Sequence, residues 1–439
     1  MQQIDPYILI MEASVIIILS FFFSEVAKRT NIPSVLMLII LGIVAKFGLD
    51  AAGLGNLNFF PILQILGIVG LIMIVLEAAL ELKLERDKYL SIGKALVVAA
   101  LGLVASTWVA AIILQYFIDG MSSEVAWLYA TPLSILSSAI IIPSVTGLKG
   151  AKREFHIYES TFSDILGIML FYFLLSQTPV PVAPEEGLEV IEHHASGLAY
   201  LGNILVTIAA SVVASYAIVL IFQNIKSHVK LFLLIAVLLL LYSLGKMAHL
   251  SSLIIILIFG LIIANMRLFF RGPLKKWLNY KKALHIYEDL HVVTVETAFV
   301  VRTFFFVIFG VTISLASLLS VDVAIVSLLI ILSIYLIRFV LLRIFIGADL
   351  FPQLFVAPRG LITILLFYSI PQQLEVANFE PGILLFIIIG TSLIMTLAMV
   401  VDKKRTTSAI RKVASEPIGY ERWKAPSLED EVVTKEAKH

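Results

Sequence analysis

Runs of some twenty apolar residues, separated by short polar stretches, recur almost from one end of this 439-residue chain to the other. A helix rises 1.5 Å per residue, so ~20 such residues cross the ~30 Å hydrocarbon core of a bilayer. Thirteen spans can be read, at about 7–25, 33–49, 62–82, 93–118, 126–147, 156–176, 197–222, 229–248, 250–266, 294–316, 321–345, 353–370 and 381–401. They are too long for barrel strands, which need only ~10 residues of alternating character. Only 14% of the residues are charged, where a soluble domain carries about 25%, so a soluble multidomain enzyme is excluded. Lys and Arg (32) balance Asp and Glu (31) to a net charge of +1, which offers no nucleic acid a basic face. Without cysteine there is no disulfide framework and no thiolate metal site. The expected fold is an all-α polytopic membrane protein, with a transmembrane domain of about 13 helices over 1–402 and a short, flexible cytosolic tail over 403–439.

Charge placement orients the spans, because cytoplasmic loops collect Lys and Arg. With the N-terminus outside, the inner segments hold Lys28 and Arg29, Lys83 to Lys94, Lys149 to Arg153, Lys226 and Lys230, the basic stretch from Arg267 to Lys282, Arg343 and the tail from Lys403. The outer loops keep Lys46 and Lys246 and are otherwise acidic, with Asp119, Glu124, Glu185, Glu186, Glu189, Glu192, Glu375 and Glu380. This arrangement predicts an integral protein of the plasma membrane with its C-terminus in the cytoplasm. The first span is not read as a cleavable signal, since Met1–Asp5 carry no positive charge and no small-residue cleavage pattern follows. The loop 177–196, with Pro179, Pro181 and Pro184, reads as an external cap between two halves. No phosphate-binding glycine loop supports ATP-driven pumping.

Ionisable groups within the spans carry the functional information, because each costs several kcal/mol unless it is paired or wet. Asp164 lies ~12 Å along its helix, near the bilayer midplane. A carboxylate so placed can hold a proton or a small cation in turn, one site for two exclusive ligands. Ser163 beside it and Thr161 supply neutral oxygens of the kind that suit hard monovalent cations. Glu159 sits ~5 Å in, and Arg338 reaches a similar depth from the opposite direction. An ion pair between them relieves both charges, and that structural role is favoured for Glu159 over cation coordination. Glu77 reads two ways, as lining a cytoplasmic access route or as an interfacial snorkelling residue. Arg302 and Arg359 are expected to snorkel or to pair with inner-loop acids such as Glu288.

Two spans are interrupted at corresponding places in the two halves. The fifth reads "TPLSILSSAIIIPSV", with Pro132, Ser137, Ser138 and Pro143, and the twelfth reads "FVAPRGLITILL", with Pro358 and Gly360. Freed backbone groups are tolerated at membrane depth only beside protein or water. Paired broken helices place partial dipoles and free carbonyls around one midplane site, as in transporters built from inverted repeats. Simple proline kinks are the alternative. His193, His194, His285 and His291 fall in predicted loops, and none completes a metal-ligand spacing.

The strings "RTNIPSVLMLIILGIV" from Arg29, "GLIMIVLEAALELKLE" from Gly70, "LSSAIIIPS" from Leu136, "ESTFSDILGIM" from Glu159, "SSLIIILIFGLIIAN" from Ser251, "RTFFFVIFG" from Arg302 and "APRGLITI" from Ala357 occur in a telling order. In that order they resemble the monovalent cation:proton antiporter superfamily, in its thirteen-helix sodium/proton exchanger-like branch. The resemblance covers about residues 8–400. It implies that Asp164 carries the ion, that Ser163 stands where the family has Asn or Asp, and that Glu159 and Arg338 match its sixth-helix glutamate and eleventh-helix basic residue. It further implies crossed broken helices in the fifth and twelfth spans. A homodimer is also implied, in which a core domain slides as an elevator against a dimerisation domain. "LSSAIIIPS" is closer to the Kef-like potassium/proton branch, which leaves Na⁺ against K⁺ open.

The function expected is electroneutral exchange of Na⁺, with K⁺ and Li⁺ as alternatives, for H⁺ in pH homeostasis, without enzymatic activity or cofactor. The proton and the cation compete for Asp164, and Ser163 with carbonyls near Ser137 and Ser138 completes the cation shell. The rivals are a sodium-coupled organic-anion symporter on a related scaffold and a channel or membrane sensor. The first wants a roomier polar cavity, a channel wants a polar stripe through several spans, and a sensor wants a folded signalling domain.

Overall fold

The structure, a computed structural model, describes residues 6–30, 34–51, 60–84, 88–148, 150–178, 197–225, 230–247, 252–270, 280–312 and 320–415. Residues 179–196 of the proline-rich loop, His193 and His194 among them, and the tail beyond Ser415 lie outside the described residues. Two compact units divide the chain, Met1–Val400 and Val401–His439.

The described residues are helical, with no strand among them: α1 (Pro6–Thr30), α2 (Ser34–Ala51), α3 (Phe60–Glu81), α4 (Tyr89–Phe117), α5 (Ser123–Ser134), α6 (Ser138–Ser144), α7 (Gly150–Gln177), α8 (Gly197–Phe222), α9 (Lys230–Met247), α10 (Ser252–Ala264), α11 (Met266–Phe269), α12 (Tyr280–Thr312), α13 (Val321–Phe345), α14 (Leu361–Phe367) and α15 (Gly382–Ser415). Seven described segments are long and apolar enough to cross a bilayer, and four shorter apolar helices accompany them. Apolar surface on both faces marks such helices. On α13, Val323, Val326, Ile330 and Ile334 are buried, while Leu328, Leu332, Leu336 and Phe339 on the other face are exposed, as they are to lipid in a membrane.

Three boundaries differ from the sequence reading. α12 begins at Tyr280 rather than near 294, because Ala283, Ile286 and Leu290 continue a buried helical stripe. His285, Glu288 and His291 therefore lie on a helix and not in a loop. α15 runs past 402 to Ser415. Within the expected span 353–370, α-helix is confined to Leu361–Phe367, preceded by a 3-10 turn at Gln353–Phe355 and an extended stretch.

Two sets of elements share one order: a long helix, an interrupted one, a long helix. They are α4, α5/α6, α7 and α13, the segment ending in α14, α15. The long helices α4 and α13 pack on each other, as do α4 and α7. Around them, side-chain clamps close the free backbone at helix ends. Asn265, after α10, donates to Leu82 O (2.7 Å) and accepts from Leu84 N–H (2.6 Å), so it holds the end of α3. Tyr129 donates to Leu374 O (3.3 Å) and accepts from Val376 N–H (3.1 Å), which ties α5 to the loop after α14.

A close helix crossing joins α2 to α12. A Cβ added at Gly42 would overlap Val307 O, and one at Gly310 would overlap Ile39 O, so only glycine lets these backbones meet. Gly310→Ala is expected to lower the unfolding temperature of the detergent-solubilised protein, at the ~1–3 kcal/mol typical of overpacking. Gly48→Ala, within α2, where an added Cβ meets nothing within 4 Å, is expected to leave it unchanged or slightly raised in the same thermal scan, since alanine favours the helix.

Candidate functional site

The first interruption separates α5 from α6 by the non-helical residues Ile135, Leu136 and Ser137, with Ile135 and Ser137 extended. Pro132 occupies the last turn of α5 and Pro143 lies within α6, so the two prolines flank the break. In apolar surroundings each freed backbone group needs an internal partner. Leu136 N–H donates to Ser163 Oγ on α7 (3.0 Å), and Ser137 N–H donates to Pro358 O in the second interruption (3.0 Å). Ser137 O accepts from the N–H groups of Ile140 and Ile141, which starts α6.

The second interruption supplies the other half of the crossing. Pro358 has no N–H to satisfy, and Arg359 N–H donates to Thr391 Oγ1 on α15 (3.0 Å). Gly360 lies so close to Ser137 that an added Cβ would overlap that side chain. The two broken segments therefore touch backbone to backbone. Arg359, 2% exposed, donates from Nε to Leu133 O (2.8 Å) and from Nη1 to Ala357 O (3.2 Å). Its positive charge sits at the C-terminal end of α5, where the helix dipole favours a cation. Snorkelling or pairing with an inner-loop acid, the expectation for Arg359, does not occur: the crossing offers it buried carbonyls.

Asp164 lies on α7 beside this crossing, 2% exposed, and neither of its carboxylate oxygens has a hydrogen-bond partner. The Ser138 hydroxyl and N–H, at the start of α6, face the carboxylate without closing a hydrogen bond. Thr161, also buried, turns its hydroxyl to Ile157 O (2.8 Å) on its own helix and away from any shared ligand.

One turn and a half earlier on α7, Glu159 meets Arg338 of α13 in a two-pronged pair: Nη1 to Oε1 at 2.6 Å and Nη2 to Oε2 at 2.9 Å. Both are buried. Arg338 also donates to Gln353 O from Nε (3.3 Å) and Nη2 (3.2 Å). His156, fully buried, places Nδ1 3.0 Å from Glu159 Oε2. A third pair joins Arg302 of α12 to Glu77 of α3 at 2.7 Å. Arg302 thus pairs within the helix bundle and not with Glu288, which sits 3.6 Å from His285 on α12.

Two clefts flank the crossing. One, of about 370 Å³, is lined by Ser134, Leu136, Glu159, Ser163, Arg338 and Arg359, among others. The other, of about 310 Å³, is lined by Glu77, Glu81, Ser138, Pro143 and Arg302, among others. Ser163, the neighbour of Asp164 on α7, faces the first, and Ser138, which faces the carboxylate, lines the second. Among the residues at this site, the sequence reading passed over His156, Gln353 and the backbone role of Arg359. His156 was detectable, three residues before Glu159 on the same helix. Gln353 acts through its main-chain carbonyl, which no residue type announces.

An unpaired buried carboxylate at the meeting of two broken helices is the arrangement of an ion-coupled membrane transporter. Residues 15–403 match the family described as sodium/hydrogen exchanger, transmembrane, and the chain belongs to that family. Its fold is similar to the structure of the sodium proton antiporter MjNhaP1 from Methanocaldococcus jannaschii at pH 8, with a TM-score of 0.63 and 19% identity over 91% of this chain and 99% of that one. An electron-microscopy map of the same antiporter matches with a TM-score of 0.61 and 20% identity, over 97% of this chain and 100% of that one. No curated protein matches the chain in sequence.

Arg338→Gln strands Glu159 in a buried site and is expected to destabilise the protein by ~3–5 kcal/mol. The double variant Glu159→Leu with Arg338→Met is expected to recover most of that loss, since a charge pair and an apolar pair of similar volume differ little in net stability. Thermal unfolding of the three proteins in detergent measures both effects.

Proposed function

We propose that the protein is a secondary antiporter that exchanges a monovalent cation for H⁺, with Na⁺ the favoured cation and K⁺ or Li⁺ the alternatives. The observation that carries this reading is Asp164: a buried carboxylate, unpaired at both oxygens, beside the crossing of two broken helices. Such a group is stabilised by gaining either a proton or a cation, and holding one excludes the other. Hydroxyls and carbonyls at Ser137 and Ser138 complete the cation shell. Ser163, while accepting from Leu136 N–H, keeps a second lone pair for the same shell.

The neutralised site moves across the apolar barrier more cheaply than a bare carboxylate, which suits alternating access by an elevator movement of a core domain against a dimerisation domain in a homodimer. Of the span carboxylates Glu77, Glu159 and Asp164, the two glutamates are held by arginines and Asp164 is not, and the proposed stoichiometry is electroneutral, one cation for one proton. Glu77 and the cleft it lines form the cytoplasmic access route in this reading. The N-terminus then lies outside and the C-terminus in the cytoplasm, with the protein in the plasma membrane.

Cation-dependent proton flux in proteoliposomes tests the reading, with Na⁺, K⁺ and Li⁺ compared. The wild type is expected to move protons against at least one of these cations, and Asp164→Asn to fall to the level of protein-free vesicles. Undiminished flux in Asp164→Asn removes the carboxylate from its assigned role. With the membrane potential clamped, the wild-type rate is expected to stay constant as the voltage is varied, and flux driven by voltage alone rules out one-for-one exchange.

A further inference from the structure

Arg359 is a buried cation with no acid of its own. A guanidinium keeps its proton inside a protein, so a charge enclosed this fully has to be answered by its surroundings. The carbonyls that it grips, Leu133 O and Ala357 O, answer it in part, since the end of a helix such as α5 carries about half an elementary charge. The titratable side chains that act on it are Tyr335, Arg338 and Glu159. Tyr335 donates to Thr391 O (3.5 Å), and both oxygens of Glu159 are taken by Arg338. Asp164 has Glu77 and Arg302 as its charged neighbours, and not Arg359.

The cleft of about 370 Å³ lies against this guanidinium. Its charged lining residues are Glu159, Arg338 and Arg359, one negative group against two positive ones. Its polar wall is rich in donors. Arg359 uses Nε and Nη1 on carbonyls, while Nη2 has no partner among the described residues. Ser106 of α4, 4% exposed, lines the same cleft, and its hydroxyl has no partner among the described residues either. Ser163 Oγ accepts from Leu136 N–H, which leaves its hydrogen to donate.

This chemistry selects the ligand. A cation is repelled by two guanidiniums, and a neutral molecule satisfies the donors but leaves the charge of Arg359 unanswered. An anion does both, through charge-assisted hydrogen bonds. The rest of the wall is apolar, with Val98 and Leu103 from α4 and Ile334 and Leu341 from α13. A carboxylic acid or a phosphate ester brings further polar atoms that such a wall leaves unpaired. A halide brings none, and it accepts from several directions at once.

We propose that this cleft is the site of a resident chloride ion, held by Arg359 Nη2 and the hydroxyls of Ser106 and Ser163 as the counter-ion of Arg359. The ion ties α4 and α7 to the segment that leads into α14. It is a structural ligand and not cargo, so the inference stands apart from the antiport reading.

The test is thermal unfolding of the full-length protein, purified in detergent and sodium gluconate, as chloride replaces gluconate at constant Na⁺ and ionic strength. The unfolding temperature is expected to rise by about 2 °C or more and then level off, as occupation of one site requires. Bromide is expected to reproduce the rise. Ser106→Ala removes one donor to the ion and is expected to need about tenfold more chloride for half the rise. A wild-type temperature that stays flat, or that climbs with chloride without levelling, overturns the proposal. A midpoint unchanged in Ser106→Ala overturns the placement of the ion in this cleft. If Ser106→Ala does not fold, bromide-soaked crystals of the wild type decide: an anomalous peak within hydrogen-bonding reach of Arg359 and Ser106 is expected, and a map without one overturns the proposal.

Discussion

A backbone N–H freed from its helix inside a membrane has no water to turn to, and the hydrogen bond from Ser137 to Pro358 answers that constraint. Two chain segments that have each given up helical pairing satisfy one another, so neither interruption is stable without its partner. The remaining groups are absorbed nearby: Leu136 N–H by Ser163, Leu133 O and Ala357 O by Arg359, Arg359 N–H by Thr391. Every helix that contributes an acceptor or donor to this exchange is thereby fixed around the crossing. Glycine at 360 follows from the same requirement, because the approach to Ser137 leaves no room for a Cβ.

Fixing the crossing also settles where charge can reside. Arg359 meets the carbonyl end of α5, a partial negative charge that suits it. Glu159 and Glu77 each receive a guanidinium, from Arg338 and Arg302. Asp164 receives none. Three carboxylates are thus sorted by their neighbours: two tie helices together through arginines, and Asp164 carries no such link, which is what the proposed exchange requires.

Much of this was legible in the residues, and the pattern of what was not is physical. Long apolar runs specify bilayer-crossing helices, and Pro132, Pro143, Pro358 and Gly360 bracket the two interruptions because these residue types act through local backbone geometry. Asp164 was conspicuous because a lone acid in an apolar run has a high cost wherever the helix packs. Arg359 was misjudged: distance from a helix end describes depth but not the carbonyls that a neighbouring broken helix turns toward it. The start of α12 was placed too late because His285, Glu288 and His291 mask a buried stripe, Ala283, Ile286 and Leu290, at helical spacing. Gln353 contributes a main-chain oxygen, which any residue type could supply, so only tertiary structure reveals it.

The serine at 163 shows how the framework and the exchange site share atoms. Its hydroxyl accepts the N–H that the break in α5 leaves at Leu136, so the side chain next to Asp164 is already part of the crossing. An oxygen engaged in this way is held by α7 and by the break between α5 and α6 at once. In the proposed exchange, a cation at Asp164 would meet oxygens such as Ser163 Oγ, whose position is set by a backbone hydrogen bond. Such an arrangement loses little conformational entropy on binding and releases its ligand without a side-chain rearrangement. If the exchange proceeds as proposed, discrimination among monovalent cations would rest on the spacing of that frame, and a substitution that moves Leu136 or Ser137 would bear on ion preference as one at the carboxylate does.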